Sequence, residues 1–291
     1  MKIVTTTSGR VIQNGGIYNI LRIMSEAGFD GADLGMFKLA QPYFTDNAEY
    51  RKDVLRAVKD FGIEIRQAHA PFPGYRFDDE EYNQKLGDAV RVAIETAGSL
   101  GANSIVVHPI HCPHLTTDEQ MEWNIDYYMS LAPLAKKEGI RIALENMFGG
   151  VVADRCCANV CSLPHEFSRY FDALSKLDSE AFTCCLDLGH FAILGCPPAK
   201  AITEMGHRVG ALHVHDNNLV HDQHNPPYFG NIQWEDVAKA LATVHYKGDF
   251  TFEPQIMSIP SELVPAANRF LVEIGRYLVS RIAYYENQPN S

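Results

Sequence analysis

The sequence predicts an α/β protein built as a single (β/α)8 TIM barrel over residues 1–291, and three observations carry that expectation. Short apolar, β-rich runs alternate with longer segments of helical period, and eight such runs can be counted. That is the pattern of repeated βα units on a parallel sheet. No Ser/Gly/Pro-rich linker or low-complexity tract divides the chain, and its charge is dispersed. The doubly wound alternative asks for G-x-G-x-x-G after an early strand, which Ser8-Gly9-Arg10 followed by Gly15-Gly16 does not supply.

The elements follow in strict order. Lys2–Thr6 (KIVTT) is the first strand, with an amphipathic helix over Gly16–Ala27. Gly31–Gly35 (GADLG) precedes Ala48–Phe61, Ile63–His69 (IEIRQAH) precedes Glu80–Leu100, and Ser104–His108 (SIVVH) precedes Asp118–Glu138. The second half repeats the alternation. Ile140–Glu145 (IRIALE) leads to Leu163–Leu177, Phe182–Asp187 (FTCCLD) to Ala199–Met205, Val209–His215 (VGALHVH) to Trp234–Val244, and Phe250–Glu253 (FTFE) to Ser261–Tyr285.

Composition narrows the function. At 46% hydrophobic and 21% charged the chain falls with globular proteins. Its 25 Lys plus Arg against 36 Asp plus Glu, a formal charge of −11, repels phosphate backbones, so no nucleic-acid partner is expected. No run approaches the ~18 apolar residues of a membrane span, and Met1–Arg10 lacks the apolar core of a secretory signal, so a cytoplasmic protein with no membrane partner is expected. The seven cysteines are odd in number, include the adjacent pairs Cys156-Cys157 and Cys184-Cys185, and form no C-x-x-C, which points to reduced thiols.

A buried parallel strand should be an unbroken apolar run, yet six of these runs carry an ionisable residue at or near their C-terminal end: His69, His108, Glu145, Asp187, His213 and Glu253. In a (β/α)8 barrel the C-terminal strand ends share one mouth, where active sites sit. Charges gathered there without partners cost several kcal/mol or neutralise themselves. A divalent cation answers that cost. Carboxylate oxygen with imidazole nitrogen suits Mn2+, Zn2+, Co2+ or Mg2+, and the absence of thiolate argues against a purely structural zinc site.

The motifs at these positions are Gln67-Ala-His69-Ala-Pro-Phe72, Val106-Val-His108-Pro109, Ala143-Leu-Glu145-Asn146, Leu186-Asp187-Leu-Gly-His190, Leu212-His213-Val-His-Asp216, Asp222-Gln-His224 with Pro226-Pro227 and Gly230-Asn-Ile-Gln-Trp234, and Thr251-Phe-Glu253-Pro254. As an ordered set they resemble the xylose isomerase-like TIM-barrel superfamily, which holds sugar and sugar-phosphate isomerases and epimerases alongside endonuclease IV. The resemblance to the ketose 3-epimerase branch implies a metal held by Glu145, Asp187, His213 and Glu253, with Glu145 and Glu253 also acting as acid and base. It implies substrate contacts from His69, His108, His190, Asp222 and His224, the last two serving sugar hydroxyls or a further metal. Two positions depart from that branch: Val151 and Leu219 stand where it has a Glu and an Arg. Tyr228-Phe229 also replaces an acidic-glycine step, either narrowing the mouth or meeting a neighbouring subunit, which leaves a homo-oligomer open.

The expected activity is therefore a metal-dependent isomerase or epimerase of a small sugar or sugar phosphate. It would remove a proton next to a carbonyl and hold the resulting enediolate with a cation. The alternative is a phosphodiester hydrolase of the endonuclease IV type, whose nine metal ligands match in residue type His69, His108, Glu145, Asp187, His190, His213, Asp222, His224 and Glu253. A barrel that binds sugar or metal without turnover is the third reading.

Overall fold

The strands seen as apolar runs in the sequence pair edge to edge in a computed structural model that describes residues 1–7, 15–72, 74–254 and 259–288. Ser8, Gly9 and Arg10 lie outside the described residues. In chain order, β1 (Ile3–Thr6) is followed by α1 (Ile17–Ala27), β2 (Gly31–Gly35), the short α2 (Pro42–Thr45), α3 (Asn47–Phe61), β3 (Glu64–His69) and α4 (Glu80–Ser99). Next come β4 (Ser104–Val107), α5 (Thr117–Lys137), β5 (Arg141–Glu145), a hairpin of β6 (Val151–Val152) and β7 (Arg155–Cys156), and α6 (Pro164–Leu177). The chain continues through β8 (Phe182–Asp187), α7 (Leu188–Ile193), α8 (Pro198–Met205), β9 (Val209–His213), α9 (Trp234–Thr243), β10 (Phe250–Phe252) and α10 (Val264–Glu286).

Eight strands form one sheet in the order β10-β1-β2-β3-β4-β5-β8-β9. Every pairing in that sheet is parallel. The two edges then meet: Val214 N–H donates to the Thr251 carbonyl at 2.9 Å and Glu253 N–H to the Val214 carbonyl at 3.1 Å. The expected (β/α)8 barrel is therefore the fold. Among the described residues no helix is long and apolar enough to cross a membrane.

Side chains on a strand alternate in direction, and here the alternation sorts them into two cores. Ile105, Ile142, Leu144, Cys184, Leu186 and Leu212 face the helices and join the main apolar cluster. Val106, Ala143, Cys185 and Ala211 face inward and form a small cluster inside the barrel. Two residues further on, the same inward direction falls on His108, Glu145, Asp187 and His213 at the mouth.

Helix starts are set locally. Thr116 and Glu119 form a reciprocal capping box at α5, Asp79 accepts the Tyr82 N–H at α4, and Asp187 accepts the His190 N–H at 2.7 Å to start α7. Two expected strands end earlier than the sequence suggested: β4 stops at Val107 and β10 at Phe252, so His108 and Glu253 stand one residue past them. β9 likewise stops at His213 rather than His215, because Val214 turns its hydrogen bonds to the β10 side of the barrel.

Candidate metal centre at the barrel mouth

Nine side chains singled out in the sequence meet at the mouth. β3 brings His69, β5 Glu145, β8 Asp187 and β9 His213, while His108 and Glu253 follow β4 and β10. His190 lies on the first turn of α7, and Asp222 and His224 on the loop after β9. Glu145, Asp187, His213 and Glu253 offer ligand atoms within 4.8 Å of one another. His69, His108 and Glu145 form a second group on the same criterion. His190, Asp222 and His224 join His215 in a third.

Main-chain carbonyls decide how the imidazoles are presented. Nδ1 of His69 lies 2.7 Å from the Ala70 carbonyl, Nδ1 of His190 2.8 Å from that of Asn146, and Nδ1 of His224 2.7 Å from that of Glu253. A carbonyl can only accept, so each Nδ1 carries a proton, which leaves Nε2 as the atom turned to the mouth: a lone pair for a cation when the ring is neutral, an N–H when it is protonated. His213 is held the other way round. Its Nδ1 is 2.6 Å from Glu145 Oε1 and 3.4 Å from Glu253 Oε2, and its Nε2 faces Asp33 Oδ2 at 3.5 Å.

The donors crowd one another in a manner that protein groups alone do not resolve. Glu145 is buried, and its Oε2 lies 2.8 Å from His108 Nε2 and 3.4 Å from His69 Nε2, with those two nitrogens 3.1 Å apart. Glu145 Oε2, His213 Nε2, Asp33 Oδ1 and Asp222 Oδ1 are nevertheless buried without an aligned hydrogen-bond partner. Burial would raise the Glu145 carboxyl, but His213 and His108 outweigh it and hold the group well below the usual range. Burial would likewise lower His190 and His224, yet Asp187 and Asp222 push His190 up to about 10, and Asp222 with Glu253 pushes His224 up to about 9. His108 moves the opposite way, kept low by burial. The site gathers carboxylate oxygens and imidazole nitrogens at shared points, and hard-to-intermediate divalent cations suit that donor set.

Sequence reasoning gave no role to four side chains that hold this arrangement. Nε2 of His215 lies 3.0 Å from both Asp187 oxygens, and its ring stacks on His224 at 3.9 Å. Gly189 leaves room for that ring, since a Cβ there would fall 1.9 Å from it. The Asn146 side chain exchanges two hydrogen bonds with the Asp187 main chain, at 2.8 and 2.9 Å. The Asp216 carboxylate accepts the N–H groups of Asn217, Tyr228 and Ile232 and the indole N–H of Trp234. Asp33, inside the GADLG strand, faces His213 and accepts from Gln67. An acid within a five-residue buried strand and a His-x-His-Asp run were the available signals.

Beside the second group an aromatic wall opens a cavity of about 390 Å3, lined in part by Phe72, Tyr75, Phe77, Tyr127 and His108. Phe72 stacks on His108 at 4.9 Å.

A family model described as the xylose isomerase-like TIM barrel matches residues 21–274. Among curated proteins, an uncharacterised protein of Methanocaldococcus jannaschii is 28% identical over 194 residues, 64% of this chain and 62% of its own. An uncharacterised protein of Sinorhizobium fredii is 23% identical over 203 residues, 66% of this chain and 54% of its own. The chain thus spans less than two thirds of the length of either relative. Among solved structures, a D-tagatose 3-epimerase-like protein superposes with a TM-score of 0.77 at 20% identity, covering 98% of this chain and 99% of that one. A 3-keto-D-glucoside 4-epimerase from E. coli gives 0.73 at 20% identity over 95% and 99% of the two chains. The IOLI protein with a bound zinc atom gives 0.75 at 15% identity over 99% and 100%. At these identities the likeness is one of fold.

Proposed function

The chain belongs to the xylose isomerase-like TIM-barrel family, and we propose that it is a metal-dependent isomerase or epimerase of a sugar or sugar phosphate. The observation that carries this reading is the meeting of Glu145, Asp187, His213 and Glu253 within 4.8 Å at the barrel mouth. Solved structures of the same fold include sugar epimerases, one a D-tagatose 3-epimerase-like protein, and one neighbour holds zinc.

These four residues would hold a divalent ion, and Mn2+, Zn2+, Co2+ and Mg2+ all suit the donor set. Bound there, the ion supplies positive charge to the oxygen that becomes negative when the proton next to the carbonyl leaves. The remaining steps belong to the protein. Glu253, with 14% of its side chain exposed, is reachable from the mouth and takes or returns that proton. Glu145 enters from β5, three strands away around the barrel from β10, and is oriented by His108 and His213. His190, His224 and Asp222 stand where they can bind sugar hydroxyls, and the aromatic wall beside His108 offers flat apolar surface to the C–H face of a sugar.

The test is a metal count per chain together with a panel of ketoses and ketose phosphates incubated in deuterated water. The expected result is deuterium entering at the carbon next to the carbonyl, dependent on added ion. No exchange in any member of the panel, under every ion, would reject the reading.

A second reading is favoured by a specific feature: among the described residues five ligand groups meet the same 4.8 Å criterion at the mouth, and three of them share Glu145. Three ions would suit phosphodiester hydrolysis of the endonuclease IV type. A charge of −11 opposes the grip on several phosphates that such an enzyme needs, so a duplex with an abasic site should remain uncut. Three bound ions with strand cleavage and no sugar exchange would reverse the order of the two readings.

A further inference from the structure

Two buried polar residues inside the barrel are left over by the metal reading: Asp33 of the GADLG strand and Gln67 at the head of the motif that ends in Phe72. On β2, Ala32 and Leu34 turn to the helices and join the main apolar cluster, so Asp33 between them turns inward. β3 meets it through an irregularity. Ile65 and Ala68 both face the helices although strict alternation would set them on opposite faces, and the register of β2 against β3 shifts between Ala32 and Asp33. A bulge of this kind re-aims a side chain. Its effect here is that Gln67, in place of Arg66, stands opposite Asp33 and donates to Asp33 Oδ2 at 3.3 Å.

Asp33 is a carboxyl group that the fold alone does not answer. It is fully buried, its Oδ1 has no aligned partner, and among the described residues no lysine or arginine pairs with it. What faces it is His213, three strands away round the closed barrel. Nε2 of that ring lies 3.5 Å from Asp33 Oδ2 and is itself buried without an aligned partner. His213 is also the exception among the imidazoles of the mouth. His69, His190 and His224 set Nδ1 against a main-chain carbonyl, whereas His213 sets Nδ1 against Glu145 and Glu253. A neutral ring has one N–H and one lone pair. For Nδ1 to face a cation with its lone pair, Nε2 must keep the hydrogen, and a buried N–H needs an acceptor.

We propose that Asp33, fixed by Gln67, positions His213 for the ion: it accepts the Nε2–H, holds the ring across the barrel and so makes Nδ1 the ligand atom. This rests on the metal reading above and extends it to two residues that touch neither ion nor substrate. A carboxylate behind a ligating imidazole sets its tautomer and orientation and raises its basicity. The β2–β3 bulge then has a purpose, since without it Gln67 would not stand beside the carboxylate it fixes.

Calorimetric titration of the chelated full chain with Zn2+, or with Mn2+, Co2+ or Mg2+ where Zn2+ does not bind, tests this. Asp33→Asn keeps the shape, but its amide can turn an N–H towards Nε2 and so move the ring hydrogen to Nδ1. The dissociation constant should rise by about 10- to 100-fold with the circular dichroism spectrum unchanged. If that variant fails to fold, Gln67→Met decides by the same titration, with affinity weakened roughly threefold or more, the worth of one hydrogen bond. In the Zn2+-loaded wild-type chain the ring 15N signals of His213, assigned by their loss in His213→Gln, should show a bound Nδ1 and a protonated Nε2. A folded Asp33→Asn chain with the wild-type dissociation constant overturns the proposal, and if its ion-free melting point has fallen the role of Asp33 is in the fold alone. An unchanged constant in Gln67→Met, or His213 bound through Nε2, overturns it too. A wild-type chain that takes up none of the four ions rejects the metal reading itself, which distinguishes that failure from failure of this step.

Discussion

Glu145 and Glu253 differ in burial although both reach the same group of ligands: Glu145 has 2% of its side chain exposed and Glu253 14%. Replacing either by Gln keeps an oxygen that can ligate but removes the group that accepts and returns a proton. Turnover should therefore fall by about 10²-fold or more, the range of general acid–base catalysis, while the metal count per chain changes little. Elemental analysis, a thermal melt and the deuterium-exchange assay on each variant separate the two effects. Full activity in both variants would exclude the two-carboxylate mechanism. A second substitution tests the third ligand group from behind. Gly189→Ala places a methyl 1.9 Å from the His215 ring, so that ring must leave the Asp187 carboxylate. Overpacking of this kind costs about 1–3 kcal/mol, readable by urea unfolding, and a stability equal to wild type would show that His215 is free to move.

The loop after β9 gains its shape from one buried carboxylate. Asp216 accepts four N–H groups, from Asn217, Tyr228, Ile232 and Trp234, at 2.8 to 3.1 Å. Asp216→Asn turns one oxygen into a donor and strands about two of those N–H groups, so a loss of roughly 1–3 kcal/mol is expected in urea unfolding. Occupancy of the His190–Asp222–His224 group should fall with it. Surface elements respond to pH instead. Asp172 on α6 forms a paired contact with Arg208 at 2.7 and 2.8 Å, and that guanidinium holds its carboxyl below the ordinary value. A folded-state value below the unfolded one stabilises the protein above the carboxylate range and is lost as pH falls through it. Asp172→Asn should cost under about 1 kcal/mol at neutral pH, because the pair is partly exposed, and the gap to wild type should close below about pH 4. The strands and long helices were legible because each buried run or amphipathic repeat is several residues long. The hairpin of Val151–Val152 with Arg155–Cys156 was not, since two residues per strand give no period, and Leu188–Ile193 is buried throughout and shows no amphipathic contrast. His69, His108, Glu145, Asp187, His213 and Glu253 were legible because each breaks an apolar run. Asp216 and Asn146 were not, because all but one of their partners, the Trp234 indole, are main-chain groups that composition does not reveal.

At the scale of the barrel the same ligands have a mechanical consequence. His69, His108, Glu145, Asp187, His213 and Glu253 come from six of the eight strands or the residue just past them, and they span the chain from position 69 to position 253. An ion held among them exists only in the closed barrel, since the unfolded chain scatters its donors. Binding to the native state alone stabilises it by RT ln(1 + [L]/Kd), about 2.7 kcal/mol when free ion stands at 100 times the dissociation constant. In a chain of this size 1 kcal/mol moves the melting point by about 2–4 °C, so the ion should raise it by roughly 5–10 °C. Scanning calorimetry after chelation, with Mn2+, Co2+, Zn2+ or Mg2+ then restored one at a time, measures that rise and ranks the ions without any substrate. The rise should vanish in His213→Ala, because this ring lies against both Glu145 and Glu253. A melting point indifferent to every ion in the wild-type chain would mean that buried imidazolium, and no metal, balances the carboxylates at the mouth. The high values of His190 and His224 would then describe the working state, and the carboxylates would have to act without an ion beside them.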